Sequence, residues 1–394
     1  MKKLHILILS LIAVSLISCR KEFTEISTLD VVVQLEFPEN FVPGNQPKNV
    51  GIMIKNNITG QITNSFSDEN GQVKLSLLPG SYAVIASKSY TAEEALPITG
   101  YEQESFVNAN VTPVVISENK TINVKLSGSK AGGLVIREFY YSGSPSNYFY
   151  DLFIEIYNNS NQAIRVDSLY MGNTKTASSA AYGFIGDNQD SVYLAHVWMV
   201  PNEGQPRYLE PGESLVLAMD GINHKSDPNG NPNSPVNLGA GIADYETFWP
   251  YTNRDIDEPD VPNLIHSYAS ATAGFDWLPG VGGCGLVIFN TANFEKLPVR
   301  REPGVSSTVQ YKAIPVTDII DGIETVSSTA ITATSKRLPI PVDAGMTTVG
   351  ANYSSKSVRR KIKSVINGRT LFVDTNNSSN DFEVNNIPSP RKWN

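Results

Sequence analysis

Cysteine is nearly absent from this chain. Its 394 residues contain two, Cys19 and Cys284, and Cys19 lies at the end of an N-terminal apolar segment. With no cysteine pair in the remainder, the protein cannot be held together by an internal disulfide and must bury a hydrophobic core. Its length suggests two or three domains. Charged residues make up only 18%, and Gly and Pro are plentiful, a composition typical of many short strands joined by turns.

Basic residues do not dominate either, since the formal net charge is −8. Binding to nucleic acid requires clustered Lys and Arg side chains that neutralise phosphates, so we predict no nucleic-acid partner. One basic stretch occurs at 356–363. It alternates with Val358 and Ile362, which indicates a strand with a solvated face.

Long hydrophobic runs are confined to the N-terminus. Lys2 and Lys3 precede an apolar run from Leu4 to Ile17, which is shorter than the roughly 20 residues of a membrane-spanning helix. It ends in the motif Leu16-Ile17-Ser18-Cys19. This segment resembles the signal peptides of bacterial lipoprotein precursors, whose cysteine is acylated and becomes the first residue.

The resemblance implies a signal peptide over 1–18, lipid on Cys19 and a tether over 19–29. The partner of the anchor is then a membrane. Arg20 rather than Asp follows Cys19, which favours the outer membrane. Whether the chain faces the periplasm or the cell surface stays open.

Motifs of nucleophilic catalysis and phosphate binding are also missing. The chain has no Gly-x-Ser-x-Gly elbow, and no Gly-Lys-Ser/Thr follows the glycines of 280–285. Cys284 lies among these glycines, where we expect a small buried residue at the start of a strand. We predict no enzymatic activity and no cofactor.

The segment from about residue 30 to residue 127 has the period-two pattern of half-buried strands. Val31, Val33 and Leu35 alternate with Val32 and Gln34. Turn motifs separate such segments, as listed here: Thr59-Gly60, Asp68-Glu69-Asn70-Gly71 and Leu78-Pro79-Gly80-Ser81-Tyr82. This order resembles transthyretin-like or carboxypeptidase-regulatory-like modules. The resemblance implies a small β-sandwich over 30–127 that serves as a scaffold.

After a small-residue hinge near 127–133, a second β pattern fills 131–394. Its motifs, in chain order, are Ile136-Arg137-Glu138-Phe139, Glu155-Ile156-Tyr157-Asn158, Leu209-Glu210-Pro211-Gly212-Glu213, Leu215-Val216-Leu217, Asp321-Gly322-Ile323, Ser357-Val358-Arg359-Arg360, Asp381-Phe382 and Pro388. They resemble the lamin-tail domain, an immunoglobulin-like sandwich whose signature pair matches Glu155 and Asn158. Two insertions, near 173–207 and 220–282, double its usual length.

These resemblances imply an all-β protein of two β-sandwich domains. Together with the lipobox, the motif Leu16-Ile17-Ser18-Cys19, they resemble uncharacterised surface lipoproteins of Bacteroidota. Such lipoproteins are associated with TonB-dependent outer-membrane transporters, and this association implies a transporter as a partner.

The second insertion is rich in aromatic residues. They are candidates for stacking on a glycan, a small ligand or a protein partner: Tyr245, Phe248, Trp249, Tyr251, Tyr268 and Trp277. The alternative is that the insertion folds onto the sandwich and the rings form its core.

The same insertion contains weak metal candidates, and we assign none of them as a site. Asp220, His224 and Asp227 fall in an oxygen-rich stretch whose Gly spacing differs from that of a calcium loop. Turn formation by Asp and Asn side chains is the alternative. A mixed site with His196 or His266 stays open. A second acidic run, 255–260, either faces solvent or gathers a cation.

The leading hypothesis is a non-catalytic binding protein of the cell envelope, an accessory to a TonB-dependent uptake system. In it the first domain acts as a spacer and the second binds the ligand. The first alternative is a structural or adhesion subunit of a surface complex. The second is a polysaccharide hydrolase.

Overall fold

A computed structural model describes the residues listed here: 27–38, 41–99, 105–130, 133–177, 182–185, 189–202, 204–251, 255, 257–270, 276–328, 336–366 and 368–392. Within them strands and turns predominate, which confirms the all-β prediction. None of the helices in these ranges is long and apolar enough to cross a membrane. The predicted signal peptide and Cys19 lie outside the described residues.

The N-terminal part has eight strands and one short helix. The strands are β1 (Leu29–Glu36), β2 (Gly51–Asn56), β3 (Ile62–Phe66), β4 (Gln72–Leu77), β5 (Gly80–Tyr90), β6 (Ser105–Ile116), β7 (Lys120–Lys125) and β8 (Ser127–Lys130), and the helix is α1 (Ala92–Thr99). They form a three-stranded sheet β4-β1-β7 and a five-stranded sheet β3-β2-β5-β6-β8. As the sequence predicts, Val31, Val33 and Leu35 point into the core between them.

The C-terminal part has eighteen strands among the described residues. They are β9 (Leu134–Tyr140), β10 (Phe153–Asn158), β11 (Ile164–Arg165), β12 (Tyr170–Asn173), β13 (Ser191–Leu194), β14 (His196–Met199), β15 (Tyr208–Leu209), β16 (Ser214–Ala218), β17 (Tyr245–Glu246), β18 (Ile265–Ala269), β19 (Gly285–Phe289), β20 (Val299–Arg301), β21 (Gln310–Pro315), β22 (Ile319–Glu324), β23 (Ser357–Arg360), β24 (Ile362–Ile366), β25 (Arg369–Phe372) and β26 (Phe382–Asn385). Short helical segments occur at Phe294–Lys296, Val316–Asp318 and α2 (Ser378–Asp381).

Two sheets contribute most of the C-terminal core. Their strand orders are β17-β16-β10-β9-β23-β26 and β18-β14-β12-β19-β22. The central strands β9 and β10 are buried along their whole length, because other parts of the chain cover both faces of their sheet. One large cluster of apolar side chains, including Trp198 and Trp277, includes residues of both sheets. Smaller sheets β13-β21-β20, β11-β15 and β24-β25 complete this part.

Glu155 and Asn158, the pair that resembles the lamin-tail signature, have structural roles in this fold. Asn158 donates from Nδ2 to the carbonyls of Gln162 and Leu209, at 2.8 and 2.7 Å. Glu155 accepts from Nη1 of buried Arg137 at 3.0 Å. These bonds satisfy groups that burial removes from water, so the motif stabilises the fold.

Both insertions contain strands that extend the two sheets. β14 and β18 add to the five-stranded sheet, and β17 pairs in parallel with β16 at the edge of the six-stranded sheet. The sequence shows no clear strand between 222 and 283, because β17 and β18 are short and their pattern is irregular. The second insertion therefore packs on the sandwich, and Tyr245, Trp249 and Trp277 are part of its main core cluster.

Candidate functional site

The six aromatic candidates divide into buried and accessible residues. Tyr245, Trp249 and Trp277 have 4%, 3% and 0% exposed area and are part of the core, as the alternative interpretation holds. Phe248 and Tyr268 are half-buried. Tyr251 is 68% exposed. Among the six candidates, Tyr251 therefore presents the largest accessible ring to a ligand.

Tyr251 lies at the outer end of a packed series of rings. Its centroid is 5.3 Å from that of Trp249 and 5.8 Å from that of His266, with the ring planes nearly perpendicular. Trp249 and His266 are 4.5 Å apart, and both pack against buried Trp198. Edge-to-face contacts of this kind are favourable. We call Trp249, Tyr251 and His266 the aromatic shelf.

Local strand geometry positions the shelf. β18 pairs antiparallel with β14, and an irregularity after Val197 places Trp198 opposite His266. The backbone N–H of Trp249 donates to Oδ2 of Asp255 at 2.7 Å. The shelf thus combines a supported base with an accessible apolar surface, which suits stacking on a flat ligand.

Several ring nitrogens around the shelf are buried without a hydrogen-bond partner among the described residues. They are Nε1 of Trp198, Nε1 of Trp249, Nε2 of His266 and Nδ1 of His196. Burial, followed by the nearby His266, lowers the pKa of His196 to about 4. Burial also lowers the pKa of His266. Both imidazoles are therefore neutral at pH 7.

The weak metal candidates Asp220, His224 and Asp227 do not form a common ligand set. Nδ1 of His224 lies 2.8 Å from the hydroxyl of Tyr148, and its Nε2 lies 3.1 Å from the carbonyl of Asp220. Asp227 Oδ1 accepts from the backbone N–H of Asn229 at 2.8 Å, which is the turn bonding expected of such a stretch. Neither His224 nitrogen is left for a metal.

Asp220 instead lies beside two acids that are distant in the sequence. One carboxylate oxygen each of Asp220, Asp255 and Asp276 lies within 4.8 Å of the others. We call these three residues the acidic trio. Sequence reasoning considered Asp220 and Asp255 in separate contexts and did not consider Asp276. The signal that could have identified Asp276 is an acid placed between apolar residues of the insertion.

Burial and mutual repulsion dominate the electrostatics here. Burial, reinforced by neighbouring carboxylates, raises the pKa of Asp220 and Asp276 well above the ordinary range. Burial raises the pKa of Glu246 to about 8, although Glu246 accepts from the backbone N–H groups of Gly221 and Glu258 at 2.6 and 2.7 Å. Of the remaining acids of the 255–260 run, Asp257 and Asp260 are exposed and Glu258 is half-buried.

Cys284 is fully buried and its thiol is free. Burial raises the pKa of this thiol, which disfavours the reactive thiolate. The expectation of a packed residue at a strand entry is confirmed, since Cys284 immediately precedes β19.

Fold and site define an all-β protein whose second half carries an aromatic surface and a buried acidic cluster. A family model described as "Protein of unknown function (DUF4876)" matches residues 210–389. The crystal structure of a DUF4876 family protein from Bacteroides thetaiotaomicron is 26% identical to this chain. The two structures superpose with a TM-score of 0.60, and the match covers 92% of this chain and 97% of the Bacteroides chain. The chain is therefore similar to that protein along nearly its whole length.

A second solved structure, a DUF3823 family protein from Parabacteroides merdae, matches 50% of this chain and 82% of that chain. The two sequences are 10% identical and the TM-score is 0.17, too low to indicate a common fold. Among curated proteins no match to this chain is found.

Proposed function

We propose that this chain is a lipid-anchored, non-catalytic binding protein of the bacterial cell envelope that recognises its ligand through the aromatic shelf. The observation that carries the proposal is the position of Tyr251. Its ring is 68% exposed yet packs against Trp249 and His266. An exposed ring with this support is suited to contact with a partner molecule.

The physical basis is the low cost of ordering such a ring on binding. A tyrosine side chain has few rotatable bonds, and its packing against two neighbours restricts it before the ligand arrives. The exposed face of the Tyr251 ring loses its contact with water when a flat ligand covers it. Sugar rings with an apolar face fit this surface, and so do planar small molecules.

The anchor and the partner are proposed from the sequence. The lipobox ending in Cys19 supports attachment to the outer membrane, and the resemblance to Bacteroidota surface lipoproteins supports an accessory role beside a TonB-dependent transporter. Under this proposal the N-terminal module, 30–127, acts as a spacer between the bilayer and the shelf.

The test of the shelf uses the purified chain and a panel of soluble polysaccharides, with binding measured by calorimetry. We expect Tyr251→Ala to lose binding, because the accessible face of the shelf is removed. Tyr208→Ala is the matched control, since Tyr208 is 50% exposed on β15, which pairs with β11 and not with the shelf strands. Equal binding by the wild type and both variants would contradict the role of the shelf.

The test of the partner is extraction of the lipidated protein from its native membrane in mild detergent, followed by mass spectrometry. A stoichiometric outer-membrane transporter is the expected result. Recovery of other surface proteins without a transporter would favour the structural or adhesion alternative, and a lone monomer would contradict both assemblies.

A further inference from the structure

The acidic trio brings together three segments of the second insertion. Asp220 follows β16, Asp255 lies after β17, and Asp276 lies before β19. One oxygen of each carboxylate lies within 4.8 Å of the other two. Asp276 is fully buried, Asp255 is 8% exposed and Asp220 is half-buried. Water therefore provides little screening of the repulsion between these groups.

Part of the bonding capacity of the trio is unused. Oδ2 of Asp276 and Oδ1 of Asp220 are buried and accept no hydrogen bond from any described residue. Among the described ion pairs, none joins Asp220 or Asp276 to a Lys or Arg. A buried carboxylate oxygen without a donor is costly, and this observation points to a cationic ligand.

The other oxygens are held in place by hydrogen bonds from nearby groups. Asp276 Oδ1 accepts from the backbone N–H of Trp277 at 2.5 Å and from the hydroxyl of Thr247 at 3.5 Å. Asp255 Oδ2 accepts from the backbone N–H of Trp249 at 2.7 Å. These contacts orient two of the carboxylates independently of any ion, as the outer shell of a metal site does.

Both the spacing and the donor set indicate the class of ion. Two oxygens on opposite sides of one Ca²⁺, with bonds of about 2.6 Å, are separated by about 5.2 Å, and each pair of oxygens in the trio lies within 4.8 Å. It offers carboxylates alone, without the thiolate or imidazole that Zn²⁺ prefers. Ca²⁺ accepts such oxygen ligands in flexible geometry and completes its shell with carbonyls and water.

We propose that Asp220, Asp255 and Asp276 form a binding site for one hard divalent cation, Ca²⁺ in preference to Zn²⁺. The ion joins the three segments of the insertion and offsets their repulsion. Because Asp255 and Asp276 also bond to the backbone of Trp249 and Trp277, the ion stabilises the base of the aromatic shelf. The site does not depend on whether the shelf binds a ligand.

The experiment uses the full chain after removal of metals with EDTA. Ca²⁺, Mg²⁺ and Zn²⁺ are each titrated alone, with binding measured by calorimetry and the melting temperature by circular dichroism. We expect one Ca²⁺ per chain, a rise of several degrees in melting temperature, and weaker responses to the other two ions. Absence of Ca²⁺ binding to the metal-free wild type would overturn the proposal.

Conservative variants test whether Ca²⁺ binds at the acidic trio. Asp276→Asn and Asp220→Asn keep the shape of the side chain and remove one charge, so we expect Ca²⁺ affinity to fall about tenfold or more. In EDTA both variants melt at or above the temperature of the wild type, because repulsion within the trio is reduced; this shows that they fold.

Asp257→Asn is the control. Asp257 is exposed and accepts from Asn263, and we expect this variant to bind Ca²⁺ like the wild type. If Asp276→Asn also bound Ca²⁺ like the wild type, the ion would lie elsewhere and the assignment would be wrong.

Discussion

Arg360 and Asp321 connect the two main sheets of the C-terminal part. Nη2 of Arg360 on β23 donates to Oδ2 of Asp321 on β22 at 2.5 Å, and both side chains are buried. The same carboxylate oxygen accepts from the backbone N–H of Ile136 at 2.6 Å, and Nε of Arg360 donates to the Ile136 carbonyl at 3.0 Å. β23 pairs with β9 only at Phe139 and Glu138. Side chains therefore replace the strand ladder at this point.

The first prediction is that Arg360→Met strongly destabilises the protein. Arg360 also pairs with Asp374 and Asp381 at 3.2 and 3.3 Å, and its loss leaves buried carboxylates without a counter-charge. We expect the free energy of unfolding to fall by about 3–5 kcal/mol. Urea unfolding followed by tryptophan fluorescence measures this, because all four tryptophans lie after residue 197.

The neighbouring arginine provides the control for this prediction. Arg359 pairs with Glu383 at 2.9 Å, but both side chains are partly exposed. Arg359→Ala is expected to cost no more than about 1 kcal/mol. Equal effects of the two variants would show that Arg360 does not have the role described.

The sequence predicts those parts of the fold in which neighbouring residues determine the structure. The alternation at Val31–Leu35 predicts β1, and Asp68-Glu69-Asn70-Gly71 predicts a turn, where Gly71 has φ of +73°. The basic stretch at 356–363 falls along strands β23 and β24, as expected, and Val358 is buried, but Ile362, which the pattern places on the buried face, is 49% exposed. Burial of Arg360 was not predicted, because its three acidic partners are brought to it by the tertiary fold.

The candidate site could be predicted only in part, because the tertiary fold also determines which of its side chains meet and which are exposed. The sequence identifies the aromatic insertion, but exposure depends on how the insertion packs, and packing buries Trp249 and Trp277 while leaving Tyr251 accessible. The acidic trio is assembled from three separate segments. No spacing rule connects such residues, whereas a calcium loop has all its ligands in one segment.

The second prediction separates the core rings from the surface ring. Trp277 is fully buried and its Nε1 donates to Oδ1 of Asn173 at 3.0 Å. Trp277→Ala is expected to lower the free energy of unfolding by about 3–5 kcal/mol, because it creates a cavity and removes a hydrogen bond. Tyr251→Ala is expected to change it by about 0.5 kcal/mol or less.

Urea unfolding measures the free energy of unfolding of both variants. It is carried out in EDTA so that ion binding at Asp276 does not contribute. A stable Trp277→Ala variant would contradict the core position of this ring. Strong destabilisation by Tyr251→Ala would mean that the exposed ring has a structural role.

The third prediction concerns the glycine-rich segment before β19. Gly283 has φ of +88°, and a Cβ atom there would lie 2.5 Å from the carbonyl oxygen of Thr325. Gly283→Ala therefore adds a steric clash to backbone strain, and we expect a loss of more than about 2 kcal/mol. Gly304 has φ of +76° with open space around it, so Gly304→Ala is expected to cost about 1 kcal/mol. Thermal unfolding measures the loss of stability in both variants. An equal loss in Gly283→Ala and Gly304→Ala would show that the protein relieves the clash with Thr325.

The fourth prediction is a pH dependence of stability that originates at His196. Burial lowers the pKa of this imidazole in the folded protein from its ordinary value of 6.5 to about 4. Between these values the unfolded chain binds a proton that the folded protein excludes, so stability falls as the pH decreases from 6.5 to 4. The contribution over this range is about 3 kcal/mol.

The test is the difference between variants, because other groups also titrate in this range. Urea unfolding at several pH values between 4 and 7 should show a weaker loss of stability on acidification in His196→Gln than in the wild type. His266 faces His196 and has a lowered pKa of its own. Since its side chain is half-buried, His266→Gln should weaken the dependence less. Parallel curves for wild type and His196→Gln would show that the folded protein accommodates the charged imidazole, contrary to the burial that the structure assigns to it.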